Sequence, residues 1–575
     1  MRRARGWSSK GPNCLGFVNF IDNVSLTFIE MPEPKATGDR RVGGVSQSGA
    51  MAAVLATTMI DRMVPLSCYV STGNEAASGI EDYLDHLAGE DGTAVIALIA
   101  EHIRRPDAFL SGVRTARAAG KAIVMLHPGQ SKAGAESAAT HTGAMVGNYA
   151  VMRTHVERAG VIMVDTLEEL GDVTEILARC ESFAPGGTGI VAESGAFKAM
   201  MLDLAERVGM NLPKISDDDS PILRAALPDF VPVTNPFDVT TQGLVDPTLY
   251  SRTMHALAAD DRIGTILLTL IQTAPHTSTV KFNAVLEAIG TMSCDKPVIV
   301  GAVDEGGGVK DADVAALRDA GVTFLPTAER ARDYSAVSLC DTAIEGLAQE
   351  GAMIPEYRSK EIMRARGIPF PAFEMVHDGE AAVAAAERLG YPVVLKAQSS
   401  DLPHKSDAGG VIVGLSDADS VRKGYADLVG SVGAARPDLS LDGVLVEAMA
   451  AKGVELIVGA RHDPHLGATI LVGFGGVAAE LLHDVCLMPA DLTKEAIIRE
   501  ILGLRMAALL TGFRGAPKMD VEAVAEVAQA LSRLVASNPD IREIELNSVI
   551  VYPEGQGALA LDALISLCPG LAKPL

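Results

Sequence analysis

Aromatic residues make up only 4% of this 575-residue chain, with a single tryptophan among them, while glycine is abundant at 56. That scarcity disfavours a fold built on large ring clusters and suits tightly packed α/β layers. Positive charge is also short. Lys and Arg number 49 against 73 Asp and Glu, a formal net charge of −24. Nucleic acid and anionic membranes would be repelled at long range, so an anionic ligand must be held by local devices. The seven cysteines are scattered with no pair at metal-ligand spacing, and no secretory signal precedes them, which reads as a reduced, cytoplasmic chain. Long apolar runs are missing too. Stretches such as TAVIALIA and GTILLTLI fall far short of the ~20 residues of a membrane helix and read as buried strands.

What is present is alternation. Short apolar runs are followed by segments of helical period, such as EAVAEVAQALSRLVAS at 522–537, and this predicts parallel sheets covered by helices. Polar or Gly/Pro-rich breaks at 31–41, 181–189 and 345–360 divide the chain into a short N-terminal piece and three domains. The first two domains carry the same unit, RVGGVSQSGAMAAVLA at 41–56 and GTGIVAESGAFKAMML at 187–202, an internal repeat in which a strand runs into Ser-Gly-Ala and then a helix. Such a turn aims backbone N–H groups and the positive dipole end outward. Ser48, Gly49 and Ala50, with Ser194, Gly195 and Ala196, are therefore candidate phosphate binders as a pair; taken singly, each serine is better read as a plain N-cap.

The last domain differs in grammar. The strands YPVVLKA, GGVIVGL, GVLVEAMA and GVELIVGARHD follow one another closely, so an antiparallel component is expected with Lys396, Glu447 and Glu455 on strands. EIELNSVIVYPEGQGALALDAL places Glu545, Asn547 and Asp562 on neighbouring strands of a hairpin. Hard oxygen donors in such positions suit Mg²⁺ shared with nucleotide phosphates. One further residue stands apart: His141, in SAATHTGAMVG, lies in a bed of small residues that offers a ring few packing partners.

Together the motifs resemble those of the NDP-forming (ADP-forming) acyl-CoA synthetases, relatives of succinyl-CoA synthetase. The resemblance covers nearly the whole chain and rests on GPNCLGFVN at 11–19, GGVSQSGAMA at 43–52, STGNEA at 71–76, the HTGA run, TNPFDVT at 234–240, LPHKSDAGG, GFGGVAAELLHD at 473–484 and the C-terminal ELN. It implies two flavodoxin-like ligase domains, 39–182 and 186–345, then an ATP-grasp domain over 350–575. Residues 1–38 would be the remnant of a CoA-binding Rossmann domain and a linker, leaving open a misplaced start, a separate CoA-binding subunit or a lost CoA site.

The implied activity joins a carboxylate to CoA with ATP, releasing ADP and phosphate, through an acyl phosphate and a phosphohistidine. Carried over by position, His141 is the phosphorylated histidine, Glu101 in IAEHI the acid that orients it, and His404 a second relay histidine. Lys396 would meet phosphates, Glu447 and Met449 the adenine, Glu455 the nucleotide, and Asn547, Asp562 and Glu545 the metal. ATP, Mg²⁺ and CoA follow as ligands, with a homodimer as assembly. The chain departs from the family pattern at His127-Pro128-Gly129-Gln130-Ser131, at Ser548, and at Met488, where an arginine is usual and Arg514 is the substitute to look for. A non-catalytic nucleotide- or acyl-CoA-binding regulator is the other reading; retention of His141, Glu101 and Lys396 opposes it, because a binding module needs no phosphoacceptor. An ATP-grasp carboxylate–amine ligase would leave HTGA unexplained.

Overall fold

The computed structural model describes residues 13–131, 134, 149–180, 185–292, 296–303, 308–327, 353–399, 402, 405, 408–463, 466–476 and 484–568. The chain divides into two compact units, Met1–Val146 with Val156–Cys340 and Gly147–His155 with Asp341–Leu575. Among the described residues no helix is long and apolar enough to cross a membrane.

The first unit holds two sheets. One comprises β1 (Gly16–Asn19), β2 (Val24–Thr27), β3 (Arg41–Ser46), β4 (Leu66–Ser71), β5 (Thr93–Ile99), β6 (Ala122–Leu126) and β7 (Ile162–Val164), in the order β2-β1-β4-β3-β5-β6-β7. From β4 to β7 the pairing is parallel. Numbered from its first parallel strand, that part reads 2-1-3-4-5, the flavodoxin-like winding. Helices on both faces explain why β5, TAVIALI, alternates so little: six of its seven residues are buried. The segment GFVN is an antiparallel strand on β4, and with β2 it forms a hairpin. The N-terminal piece expected to be a remnant and linker thus contributes two strands to this sheet.

The second sheet comprises β8 (Gly187–Ala192), β9 (Phe237–Asp238), β10 (Ile263–Leu270), β11 (Val298–Ala302) and β12 (Thr323–Leu325), all parallel in the order β12-β11-β10-β8-β9. It is the same 2-1-3-4-5 winding, so the repeated Ser-Gly-Ala turns follow the first strand of each sheet. Both turns lie at the switch point, where such sheets bind ligands beyond their strand ends.

The second unit is antiparallel. Strands β13 (Met353–Ile354), β14 (Phe373–Val376), β15 (Val393–Gln398), β16 (Val411–Leu415), β17 (Gly443–Ala448), β18 (Val454–Asp463), β19 (Gly467–Phe474), β20 (Val485–Pro489), β21 (Ile541–Val551), β22 (Ala558–Ala560) and β23 (Ala563–Leu567) build two sheets. Their orders are β14-β17-β15-β16 and β13-β23-β21-β18-β19-β20, with β22 on β21. The helix Val521–Ser537 buries Val524, Val527, Ala528, Leu531, Leu534 and Val535, an apolar stripe at helical spacing that closes the core over the larger sheet. The break expected across 345–360 is structured at its end: Met353 and Ile354 pair with β23, and a helix runs Glu356–Arg364.

Candidate functional site

In the first unit, the motifs converge at the carboxyl ends of β3, β4 and β5. Ser48 caps the helix Gly49–Asp61. Gly49 is favoured there, because a Cβ would stand 2.6 Å from Leu15 Cγ, so Leu15 lies directly on the turn. The Leu15 N–H donates to Ser71 Oγ at 3.1 Å, and Asn13 Nδ2 donates to Asn74 Oδ1 at 3.2 Å, tying Asn13 and Leu15 to STGNEA. Glu101 follows β5 by two residues. Its backbone N–H donates to Gln47 Oε1 at 2.6 Å, which brings the candidate acid to the same strand ends as the Ser48 turn.

Glu75, buried under this end, accepts hydrogen bonds from Thr72 Oγ1 at 2.9 Å and from the Ile80 N–H at 2.8 Å. Burial raises its pKa, while Glu81 pushes the same way and hydrogen bonds from Gln47, Thr72 and Ile80 oppose. Burial also pushes the His127 imidazole, in the departing HPGQS segment, down to about 4, with His102 adding to the effect and a hydrogen bond to the Ala100 backbone opposing it. His127 is therefore neutral across the physiological range.

The Ser194-Gly195-Ala196 turn occupies the matching place on the second sheet, opening the helix Gly195–Val208. TNPFDVT braces it. Asn235 Nδ2 donates to the Thr188 carbonyl at 2.8 Å and its Oδ1 accepts from the Ile190 N–H at 3.0 Å, while Lys198 Nζ donates to Thr234 Oγ1 at 2.6 Å.

In the second unit, Lys396 on β15 is buried at the centre of an ion cluster. Its Nζ lies 2.7 Å from Asp562 Oδ1, 3.0 Å from Glu447 Oε1 and 3.3 Å from Glu356 Oε1, and donates to the Leu561 carbonyl at 3.0 Å. Lys360 Nζ is 2.6 Å from Glu356 Oε1 and also binds Glu447; Lys405 Nζ is 2.5 Å from Glu356 Oε2. Three ammonium groups thus face three carboxylates, and the cluster is neutral, as burial demands. Burial alone would raise the Glu356 carboxyl, but Lys396, Lys360 and Lys405 together hold it well below the ordinary carboxylate range. Burial alone would lower Lys396, yet Glu356, Asp562 and Glu447 hold it well above its usual value. Lys360 is lowered by burial and by repulsion from Lys396.

Sequence reasoning found Lys396, Glu447 and Asp562 but missed Glu356, Lys360 and Lys405. Glu356 and Lys360 stand four apart, a spacing that sets both on one helical face, but they lie in a stretch read as a break. Lys405 lies within HKSD, where attention fell on the histidine.

The expected metal residues gather around β21. Asn547 Nδ2 donates to Glu545 Oε1 at 3.1 Å on β21. Leu546 pairs with Ala563, and the Leu561 N–H donates to the Ser548 carbonyl at 2.8 Å, which sets Asp562 across from Asn547. Among the described residues no three His, Cys, Asp or Glu side chains form a metal cage. Two carboxylates and an amide oxygen, two of them on β21 and one in the β22–β23 connection, nevertheless fit Mg²⁺, which takes few protein ligands and shares phosphate oxygens and water.

Glu455, exposed on neighbouring β18, lies beside Gly476, whose φ of +65° needs glycine and whose Cβ would stand 3.1 Å from Glu455 Oε2. Met449 is 47% exposed at the end of β17, and its N–H donates to the Pro392 carbonyl at 3.1 Å. Met488 is fully buried in the core of the larger sheet. Arg514 is exposed, with its guanidinium 5.2 Å from the Phe513 ring centroid. His141 and His404 lie outside the described residues.

Comparison with known proteins agrees with this layout. Residues 39–177 match the succinyl-CoA ligase like flavodoxin domain and residues 345–567 an ATP-grasp domain. The chain is 47% identical to a trans-feruloyl-CoA synthase from an unknown prokaryotic organism, over 97% of its own length and 81% of the relative's. It is 30% identical to an ADP-forming acetate–CoA ligase of Archaeoglobus fulgidus, over 95% of its length and 80% of that protein's. Among solved structures, the Ca. Korarchaeum cryptofilum dinucleotide forming acetyl-coenzyme A synthetase 1 in complex with phosphate and ADP matches 58% of this chain and 70% of its own, at TM-score 0.50 and 25% identity. Two flavodoxin-like sheets with paired Ser-Gly-Ala turns, an ATP-grasp unit and identity to these enzymes along almost the entire chain lead to one conclusion: the chain belongs to the ADP-forming acyl-CoA synthetases, ligases that use ATP, Mg²⁺ and CoA.

Proposed function

We propose that this acyl-CoA synthetase activates an aromatic, hydroxycinnamate-type acid. The observation that carries this reading is its 47% identity to a trans-feruloyl-CoA synthase along 97% of the chain, against 30% to an acetate–CoA ligase over a comparable length. His141 takes the γ-phosphoryl group of ATP. It then gives that group to the carboxylate, forming an acyl phosphate, and CoA thiolate displaces phosphate to leave the acyl-CoA. Glu101 holds the imidazole so that its second nitrogen faces phosphorus, and stabilises the charge on the ring. The N–H groups of the two Ser-Gly-Ala turns cradle the phosphoryl oxygens, and His404 serves as the second relay station.

Lys396 with Glu447, Met449 and Glu455 receives the nucleotide, and Asn547, Asp562 and Glu545 hold Mg²⁺. When bound, that ion neutralises phosphate charge, the main requirement of phosphoryl transfer beyond positioning. Lys396 and Asp562 pair at 2.7 Å, so the buried ammonium is not left alone. We place the enzyme in the cytoplasm as a homodimer.

A thioester-formation assay across ferulate, other hydroxycinnamates, branched acids and acetate tests the substrate. The expected result is a kcat/KM for ferulate at least about tenfold above that for acetate. A preference for acetate would overturn it.

A further inference from the structure

The residue just before each serine of the paired turns is Gln47 in the first sheet and Glu193 in the second, 7% and 8% exposed. Neither has a role in the mechanism above. Strand register makes their surroundings comparable. Ser46 pairs with Ile99, so Glu101 stands two residues beyond the pair; Ala192 pairs with Thr269, so Ile271 holds the same place.

Gln47 meets the chain around Glu101 from both sides of its amide. Oε1 accepts from the N–H groups of Glu101 at 2.6 Å and His102 at 2.9 Å, and Nε2 donates to the His102 carbonyl at 2.6 Å. Two residues on, Glu81 Oε1 accepts from the N–H groups of Arg104 and Arg105, each at 2.9 Å. Five backbone groups of the loop carrying Glu101 are thus held by two buried side chains.

The second sheet does the same work with two residues. Glu193 Oε2 accepts from the Ile271 N–H at 2.6 Å and from Lys281 Nζ at 2.7 Å, Tyr250 donates its hydroxyl to Glu193 Oε1, and Lys281 Nζ donates to the Ile271 carbonyl at 2.6 Å. A carboxylate can only accept, so a lysine must supply the donor that the Gln47 amide supplies by itself.

We propose that Gln47 is the positioning residue of Glu101. An amide stands there because it accepts and donates at once while adding no charge beside a site that handles phosphate. Where no acid occupies the matching place, as at Ile271, a neutralised Glu–Lys pair suffices. This inference rests on the role proposed for Glu101.

The test is the initial rate of His141 labelling from γ-labelled ATP in the full chain, for wild type, Glu101→Gln, Gln47→Ala and the double variant. Gln47→Ala is expected to slow labelling about tenfold or more, since small misplacement of a catalytic group is costly, with the half-saturating ATP concentration unchanged. The double variant should be no slower than Glu101→Gln within about twofold, because residues acting through one another are not additive. Losses that multiply, or normal labelling in Gln47→Ala beside a crippled Glu101→Gln, would overturn the inference. Normal labelling in Glu101→Gln would instead overturn the role given to Glu101. Should Gln47→Ala fail to fold, Gln47→Met keeps the length and adds no charge but holds no backbone group; labelling slowed in the wild-type background and not further slowed in Glu101→Gln supports the inference, and wild-type labelling overturns it.

Discussion

The two flavodoxin-like sheets share a winding order and a Ser-Gly-Ala turn, yet they differ in what surrounds that turn. The first places a half-buried acid, Glu101, next to a neutral amide clamp; the second places Ile271 next to a buried Glu193–Lys281 pair. In the proposed function, the shared part is a scaffold for presenting backbone N–H groups to an anion. Only the first carries an ionisable side chain at the strand end two residues beyond the paired position, and the proposed function accordingly gives chemistry to that copy and support to the other.

The largest effect that probes this contrast lies on the supporting side. Lys281→Met strands the Glu193 carboxylate, and removing one partner of a buried pair costs about 3–5 kcal/mol. Urea unfolding should show that loss, and Glu193→Gln added to Lys281→Met should recover most of it. Destabilisation that persists in the double variant would mean that the pair does more than neutralise itself.

On the catalytic side, Glu101→Gln should leave unfolding unchanged and slow His141 phosphorylation by about 10²-fold or more, the scale of losing an electrostatic stabiliser. Rapid-quench labelling reads this directly, and an unchanged rate would make Glu101 a bystander.

A third contrast is in pH. The His127 pKa is depressed to about 4 by burial, whereas an unfolded histidine titrates near ~6.5. Between those values the unfolded state binds a proton that the folded state does not, so stability rises with pH in this window and falls on acidification. The loss approaches about 3 kcal/mol by pH 4. His127→Gln should flatten that part of the urea-midpoint curve; an unaltered slope would assign the effect to other groups.

The smallest effect separates capping from anion binding. Ser48 Oγ accepts from the Met51 N–H at a long 3.5 Å, and Ser194 makes no side-chain cap bond. Ser48→Ala should therefore cost less than the ~1 kcal/mol of a good cap, and Ser194→Ala next to nothing in thermal unfolding, while both weaken phosphate binding. A full capping loss at Ser194 would favour the plain structural role.

Much of this was legible in the sequence. The repeat, the parallel sheets covered by helices and the antiparallel last domain follow from periodicity and turn chemistry, which are local, whereas the flavodoxin-like winding came from the family resemblance. Lys396 and Glu447 were legible as a base and an acid on strands, whereas Asp562, expected on a strand, stands in the short connection between β22 and β23. What was hidden is partnership across sequence distance. Lys396 and Asp562 are 166 residues apart, and Gln47 and Glu101 are joined only through the pairing of β3 with β5. Glu356 and Lys360 were obscured differently: a polar PEYRSK reads as a surface break, and only Lys396, Lys405 and Glu447, brought in from elsewhere in the sequence, give its charges partners in a core. The hairpin of β1 and β2 escaped notice because short strands at a sheet edge carry almost no periodic signal.

The account turns on a phosphoryl group resting on His141. Incubating the chain with γ-labelled ATP and Mg²⁺, without acid or CoA, and comparing wild type with His141→Ala is the most direct measurement. An acid-labile, base-stable label that is present in wild type and absent from His141→Ala is the predicted result; labelling that survives in His141→Ala and disappears in His404→Ala would contradict it.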